Sequence, residues 1–236
     1  MGIFDFLKNN NLKSKTENIL QSKEPQDQEL KNEVLEFIRQ EIKFGFDNQA
    51  DILEAVWTAG FENEDQLNEE WLKQIIAEHY SQNQTESKRW TKPTDFDKLA
   101  NVFDELNQEK IIALHKAGYT KQDGYSDVSE VVHLLKDGNI IPLGYCFYHT
   151  QDLERAIDPT GKNLFLAFDD IKQNTEESIL IGQKIVSKLH EKGFIVEWNG
   201  TIEQRIEIKN ISWQKIPDGQ PWGITRTMEY LNKRIE

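Results

Sequence analysis

Apolar residues recur at helical spacing through the first third of the chain and at mixed spacing after it. Leu30, Val34, Phe37, Ile38 and Ile42 fall on one face of a helix that Gly45 ends. Ile52, Leu53, Val56 and Trp57 make a second, shorter helix ending near Gly60. Leu67, Trp71, Leu72, Ile75, Ile76 and His79 make a third, and Glu64, Asp65, Glu69 and Glu70 sit early, where the helix dipole favours carboxylates. Three short helices over residues 29–88 predict a small bundle. Residues 81–87 are polar and Pro93 follows, so the boundary is expected there.

From residue 89 to 216 the pattern predicts a mixed domain. Thr94 and Asp97 have the spacing of a helix start, ahead of Phe96, Leu99, Phe103 and Leu106. Ile111–Leu114 reads as a buried strand. Ser126 is placed as the cap of a helix carrying Val128, Val131, Val132 and Leu135, closed by Gly138. Residues 140–148 are strand-like, with Pro142 and Gly144 demoting the first half, and 164–168 is a clear strand. Thr175 opens a long helix through Ile179, Ile185, Val186 and Leu189, with Gly193 after its end. Gly182 inside it costs about 1 kcal/mol relative to Ala, which close packing on a strand would offset.

Phe194, Val196 and Trp198 alternate, Asn199-Gly200 turns the chain, and Ile202, Ile206 and Ile208 return. A three-residue loop pairing Trp198 with Ile202 and Phe194 with Ile206 keeps the apolar rows on one face. Trp213 extends the return strand past a bulge near Asn210, and residues 217–236 form a tail with a helix at 224–235. The fold class is α+β: an N-terminal small helical bundle packed on a mixed α/β domain with about five strands and three or four helices. Residues 1–28 read as a flexible segment. Residues 1–7 lack the marks of a secretory signal, and Phe6 sits near where a myristoylation motif wants Ser or Thr.

Charge narrows the function classes. The 236 residues carry 28 Lys plus Arg against 41 Asp plus Glu, a net charge of −13. Phosphate-rich partners would be repelled, so nucleic acid and anionic membrane surfaces are disfavoured. No apolar run reaches the roughly 20 residues of a membrane span. The single Cys146 excludes an internal disulfide and a cysteine-based zinc site, and fits a reducing, cytoplasmic location.

Candidate chemistry gathers at predicted strand ends. His115-Lys116-Ala117-Gly118-Tyr119-Thr120 follows the first strand, with Gln122-Asp123-Gly124-Tyr125 next, and Tyr148-His149-Thr150-Gln151-Asp152 follows the second. Trp198-Asn199-Gly200-Thr201 forms the hairpin tip. Loops on one edge of a sheet are where such domains build ligand sites. His115, Asp123, His149 and Asp152 could together hold a metal, although the spacing matches no metal motif. The alternative is that the two aspartates cap turns or helix starts while the histidines satisfy strand-end groups. Cys146 lies in an apolar run and reads as a buried hydrophobe rather than a nucleophile. No phosphate-loop or dinucleotide fingerprint is present, and Gly118 and Gly124 read as turns. Exposed Tyr and Trp beside Asn, Thr and Gln have the composition of a protein-binding surface.

These residues carry a resemblance. The run Ile111-Ile112-Ala113-Leu114-His115-Lys116-Ala117-Gly118-Tyr119-Thr120, then Asp123-Gly124, then Tyr148-His149-Thr150-Gln151-Asp152 comes first in order. Residues 164–168, Ile181-Gly182, Trp198-Asn199-Gly200-Thr201, Arg205-Ile206 and Trp213 follow. In that order they resemble a bacterial domain family of unknown function, over roughly residues 90–213. The resemblance implies a shared α/β domain in a cytoplasmic bacterial protein and no established activity. It marks His115, Tyr119, Thr120, Asp123, His149, Gln151, Asp152, Trp198, Asn199 and Arg205 as the candidate binding residues. The expected function is non-enzymatic binding of a protein partner, such as a toxin neutralised by an immunity-type protein, with no cofactor. The alternative is a metal-dependent or small-molecule-acting enzyme using the histidine–aspartate cluster.

Overall fold

The computed structural model describes residues 24–136 and 140–233, and the chain divides into two compact units between Arg89 and Trp90. Most of the expected N-terminal segment, residues 1–23, lies outside the described residues, as does Gly138. In the first unit, α1 (Gln28–Phe44) begins where Asp27 accepts the backbone N–H groups of Glu29 and Leu30, and it ends at Gly45, whose φ of 74° suits glycine. Asn48 caps α2 (Gln49–Thr58), and Asn68 caps α3 (Glu69–Ser87) after a short 3₁₀ turn at Glu64–Gln66. Leu30, Val34, Ile38 and Ile42 bury one stripe of α1 against Ile52, Val56, Trp71, Leu72 and Ile76. Each such aliphatic side chain contributes about 1.5–3 kcal/mol by leaving water.

The polar residues 81–87, where the boundary was expected, are helical and form the last two turns of α3, and the chain divides just after them. Polar residues suffice there, because Thr85 Oγ1 donates to the Ser81 carbonyl at 2.9 Å and Gln82 Nε2 donates to Glu86 Oε1 at 3.1 Å.

The second unit holds five helices and five strands among the described residues. They are α4 (Asp95–Gln108), β1 (Ile111–Leu114), α5 (Lys121–Leu135), β2 (Gly144–Phe147), α6 (Thr150–Ile157), β3 (Leu164–Asp170), α7 (Thr175–Glu191), β4 (Ile195–Glu197), β5 (Ile206–Lys209) and α8 (Ile224–Asn232). The sheet order is β1-β2-β3-β5-β4, with β1 and β2 parallel and the other pairs antiparallel. The molecule is α+β, as the hydrophobic pattern predicts.

Alternation along the strands assigns the two faces. Ile112, Leu114, Phe147 and Ala167 pack with Val128 and Val131 of α5 and Leu231 of α8. On the other face, Gly182 of α7 lies so close to Phe168 and Trp198 that an added Cβ would come within 2.8 Å of the Phe168 ring. That is the close packing expected to offset a glycine inside a helix. Lys188 of α7 pairs with Glu105 of α4 at 3.1 Å and with Glu109 at 2.7 Å. At the β1 edge, Asn107 accepts the Ala113 N–H at 2.8 Å and donates to its carbonyl at 3.1 Å, while Thr227 Oγ1 donates to the same carbonyl at 3.0 Å. Side chains of α4 and α8 thereby occupy backbone groups that an unpaired edge would leave open.

Four local expectations are corrected. Helix α5 starts at Lys121 under a Thr120 cap, so Ser126 lies inside it. The Thr120–Asp123 pair outcompetes Ser126 because it satisfies two orphan N–H groups reciprocally. Gly124 therefore sits in a helix, where a Cβ would come within 2.2 Å of the Phe147 ring. The hairpin pairs Val196 with Ile208 and Ile195 with Lys209, which makes the loop longer than expected. Trp198 causes this: its ring meets Phe168 at 5.5 Å and its Nε1 donates to the Thr201 carbonyl, so it leaves the ladder. Trp213 is not in a strand either, since Asn210 turns the chain at φ 52° and the indole packs on Phe96 and Tyr148. Finally, α6, which was not expected, brings the helices of this unit to five rather than three or four.

Candidate functional site

The parallel strands β1 and β2 end side by side, and each is followed by a loop and a helix start. Backbone bonds tie these loops together: Ala117 N–H donates to the Tyr148 carbonyl at 2.9 Å and Thr150 N–H to the Gly118 carbonyl at 3.0 Å. Thr150 Oγ1 donates to that same Gly118 carbonyl at 2.9 Å. Gly118 has a φ of 60°, and a Cβ there would come within 2.2 Å of Asp123 Cβ, so glycine is required. The N-termini of α5 and α6 are thus held next to each other.

Each start is fixed by an aspartate at its third position. Asp123 Oδ2 accepts the Thr120 N–H at 2.8 Å and the Thr120 hydroxyl at 2.9 Å. Those bonds hold the Asp123 carboxyl below the usual range. Asp152 accepts the His149 N–H at 3.5 Å in the equivalent position, but its surroundings differ. It is completely buried, with His149 Nε2 donating at 3.0 Å, Arg155 Nη1 at 3.1 Å and Arg205 Nη1 at 2.8 Å. A buried carboxylate needs such partners, because ion burial without them costs several kcal/mol.

Above this network lies an open cleft of about 540 Å³ lined by Thr120, Lys121, Gln122, Tyr125, His149, Gln151, Arg155 and Arg205. Both guanidinium groups use Nη1 on Asp152, and Nη2 and Nε of each have no partner among the described residues. Lys121 makes no ion pair among the described residues and stands 5.6 Å from the Tyr125 ring centre. His149 Nδ1 is buried without a hydrogen-bond partner among the described residues. The cleft is therefore a cationic spot on a chain of net charge −13.

A second cleft, of about 520 Å³, lies further along α5 between that helix and strands β2 and β3. Tyr125 lines both clefts, and Val128, Ser129, Val132, Tyr145 and Asp169 line the second. The Tyr125 and Tyr145 rings meet edge to face at 6.1 Å. Burial, with Asp169 and Tyr125 nearby, pushes the Tyr145 phenol up.

Of the ten residues marked in the sequence, Thr120, His149, Gln151 and Arg205 line the first cleft, and Asp152 lies beneath it. Asp123 serves the α5 cap, and Tyr119 is 55% exposed on the adjoining loop. Trp198 and Asn199 belong to the hairpin turn, where Asn199 Oδ1 accepts the Thr201 N–H at 3.0 Å. His115 does not line the cleft. It is sealed among Phe96, Phe103, Tyr148 and Trp222, with Phe103 stacked at 4.5 Å and Nδ1 2.9 Å from Tyr148 Oη. Burial, then Arg226 and Lys215, lower its pKa well below the ordinary imidazole value. His115, Asp123, His149 and Asp152, which the sequence alone left open as a joint metal set, are thus divided among separate roles. Among the described residues no group of three or more His, Cys, Asp or Glu is placed to hold a metal ion. Cys146 is buried, and burial pushes its thiol up. Sequence reading missed Lys121 and Arg155; the signal for Arg155 was its place three residues after Asp152 on one helix face.

No helix among the described residues is long and apolar enough to cross a membrane. Comparison with curated proteins and with solved structures finds no match. A family model described as "Domain of unknown function (DUF6891)" matches residues 27–217, and the chain belongs to that family. The matched span takes in the helical unit as well as the segment that carries the resemblance.

Proposed function

With membership in a family of unknown function as the premise, we propose that this chain is a non-enzymatic module that binds another protein. Its most concrete form is an intracellular bacterial immunity-type protein that neutralises a toxin. The observation that carries the reading is Asp152. This carboxylate is fully buried and accepts from His149, Arg155 and Arg205, so the groups that would do acid–base work instead brace a surface. A net charge of −13 adds long-range attraction for a basic partner, which speeds encounter more than it strengthens contact. One observation favours the second reading, a small-molecule-acting enzyme: His149 lines a cleft and has Nδ1 without a partner among the described residues.

Native mass spectrometry of the full chain, purified untagged from its own host, separates the two. A stoichiometric second protein chain without a small adduct is expected. A single bound small molecule or metal ion, lost in His149→Ala with the fold retained, would overturn the binding-module reading in favour of the enzyme.

A further inference from the structure

The two clefts lie along one face of one helix. Lys121 and Gln122 line the first, Tyr125 both, and Val128, Ser129 and Val132 the second, a progression of three or four residues at each step. From Lys121 to Val132 that face is about 16 Å long at 1.5 Å per residue. Its character changes along the way. Lys121, Arg155 and Arg205 surround the end next to the α5 N-terminus, whose cap the Thr120–Asp123 pair already fills. Tyr125, Tyr145, Val128 and Val132 make the middle apolar and aromatic. In the second cleft, opposite Tyr145 in the sheet register, Asp169 Oδ1 accepts from the Asp170 N–H and the Ser178 hydroxyl, and Oδ2 has no partner among the described residues.

We infer that this face of α5 is a docking groove for a short segment of a partner protein with a carboxylate at one end, an aromatic or aliphatic side chain in the middle, and a donor or cation at the other. The inference rests on the binding-module reading and names the partner chemistry for it. Charge complementarity supplies the argument. Three cations, two with unused guanidinium N–H groups, form a bidentate-capable anion seat. Asp169 repels the same anion from the second cleft, which sets polarity. The apolar middle gives affinity that a charge pair alone would lack, and Tyr faces suit an aromatic side chain. Both clefts are open, as an extended segment about 5 residues long requires. The acidic surface of the whole chain attracts a partner at long range, and the cationic seat holds one acidic side chain of that partner in register.

The test is titration of the full chain with the blocked pentapeptide Glu-Glu-Phe-Leu-Lys, read by calorimetry and by amide shifts. Gln-Gln-Phe-Leu-Lys and Glu-Glu-Ser-Ser-Lys each remove one feature. The expected Kd for the first peptide is on the order of 0.1 mM, with amide shifts from Lys121 through Val132, and each control binds about tenfold more weakly. Lys121→Glu, an exposed change, is expected to weaken the acidic peptide about tenfold and leave the Gln-headed one unchanged. Ser129→Arg is expected to block the apolar middle in all three. Equal binding of all three peptides, or shifts confined to the first cleft, would overturn the groove. No binding at about 5 mM peptide would do the same, since that corresponds to under 4 kcal/mol of affinity. If a host partner co-purifies while the peptides fail, the groove is wrong and the module reading stands. If the peptides bind as expected and native mass spectrometry shows a small adduct alone, the groove stands and that reading falls.

Discussion

His115 and His149 occupy matching places, one after β1 and one shortly after β2, yet the tertiary structure gives them opposite surroundings. His115 is enclosed by Phe96, Phe103, Tyr148 and Trp222, with Lys215 Nζ 4.7 Å from the Phe96 ring centre and Arg226 stacked on Trp222. His149 instead braces a buried carboxylate at the wall of a cationic cleft. Residues 213–227 account for the difference, because Trp213, Trp222 and Arg226 bring aromatic and cationic groups over the β1 end. Nothing in the two strand-end motifs foretells that cover. A histidine after a strand acquires its chemistry from what packs above it.

The comparison can be broken most forcefully at Asp152. Asp152→Ala leaves three donors around an apolar gap, and an unfolding free energy lower by about 3 kcal/mol or more is expected in urea titration. A loss below about 1 kcal/mol would mean the network does not hold α6 in place. Next, Tyr148→Phe removes the partner of His115 Nδ1 in a ring whose Nε2 already lacks one, with an expected loss of about 1–2 kcal/mol.

The pH dependence then sharpens the contrast. His115 is held neutral when folded, while the unfolded chain takes up a proton near the ordinary value of 6.5. Unfolding therefore binds a proton below that pH, so this part of the stability is complete above 6.5 and is lost as pH falls. The slope reaches at most about 1.4 kcal/mol per pH unit. Arg226 and Lys215, the cations that face this ring, act in the same direction as burial, and the Tyr148 phenol, pushed up by its own burial, adds no charge there. Urea midpoints measured from pH 7 to pH 5 should fall less steeply in His115→Phe than in the native chain. Equal slopes would place the acid sensitivity elsewhere. The smallest effect is expected at Lys121→Glu, within about 0.5 kcal/mol, because Lys121 has no ion pair among the described residues to lose. A large loss there would make the lysine part of the scaffold and remove it from the cleft's binding inventory.

Legibility followed the range of the interactions. Helix α1, the Thr94–Asp97 cap, β1, β3 and α7 were readable because periodicity and capping act within a few residues. Helix α6 was missed, since its eight residues hold too few apolar positions to establish a period, although Asp152 stands at a capping spacing from His149. The hairpin register failed by an even number, from Trp198 opposite Ile202 to Val196 opposite Ile208, so the apolar rows kept their faces. Alternation determines the face, and the contact of Trp198 with α7 and β3 determines the loop. At the site, the strand-end clusters containing Thr120, His149, Gln151 and Asp152 were visible, whereas Arg205 stood out through its resemblance and Lys121 and Arg155 not at all.

By itself the sequence determined the α+β class, the helical first third, most strands, and the polar character of the β1 and β2 ends. These follow from backbone preferences and the burial of apolar side chains, which neighbouring residues largely encode. Tertiary structure alone decided that Asp152 would be buried under Arg155 and Arg205, and that His115 would be sealed away while His149 faced a cleft. It also aligned two clefts along α5. Charge pairing and solvent exclusion depend on distances between residues more than 50 positions apart, as with Arg205 and Asp152, and no local pattern carries those distances.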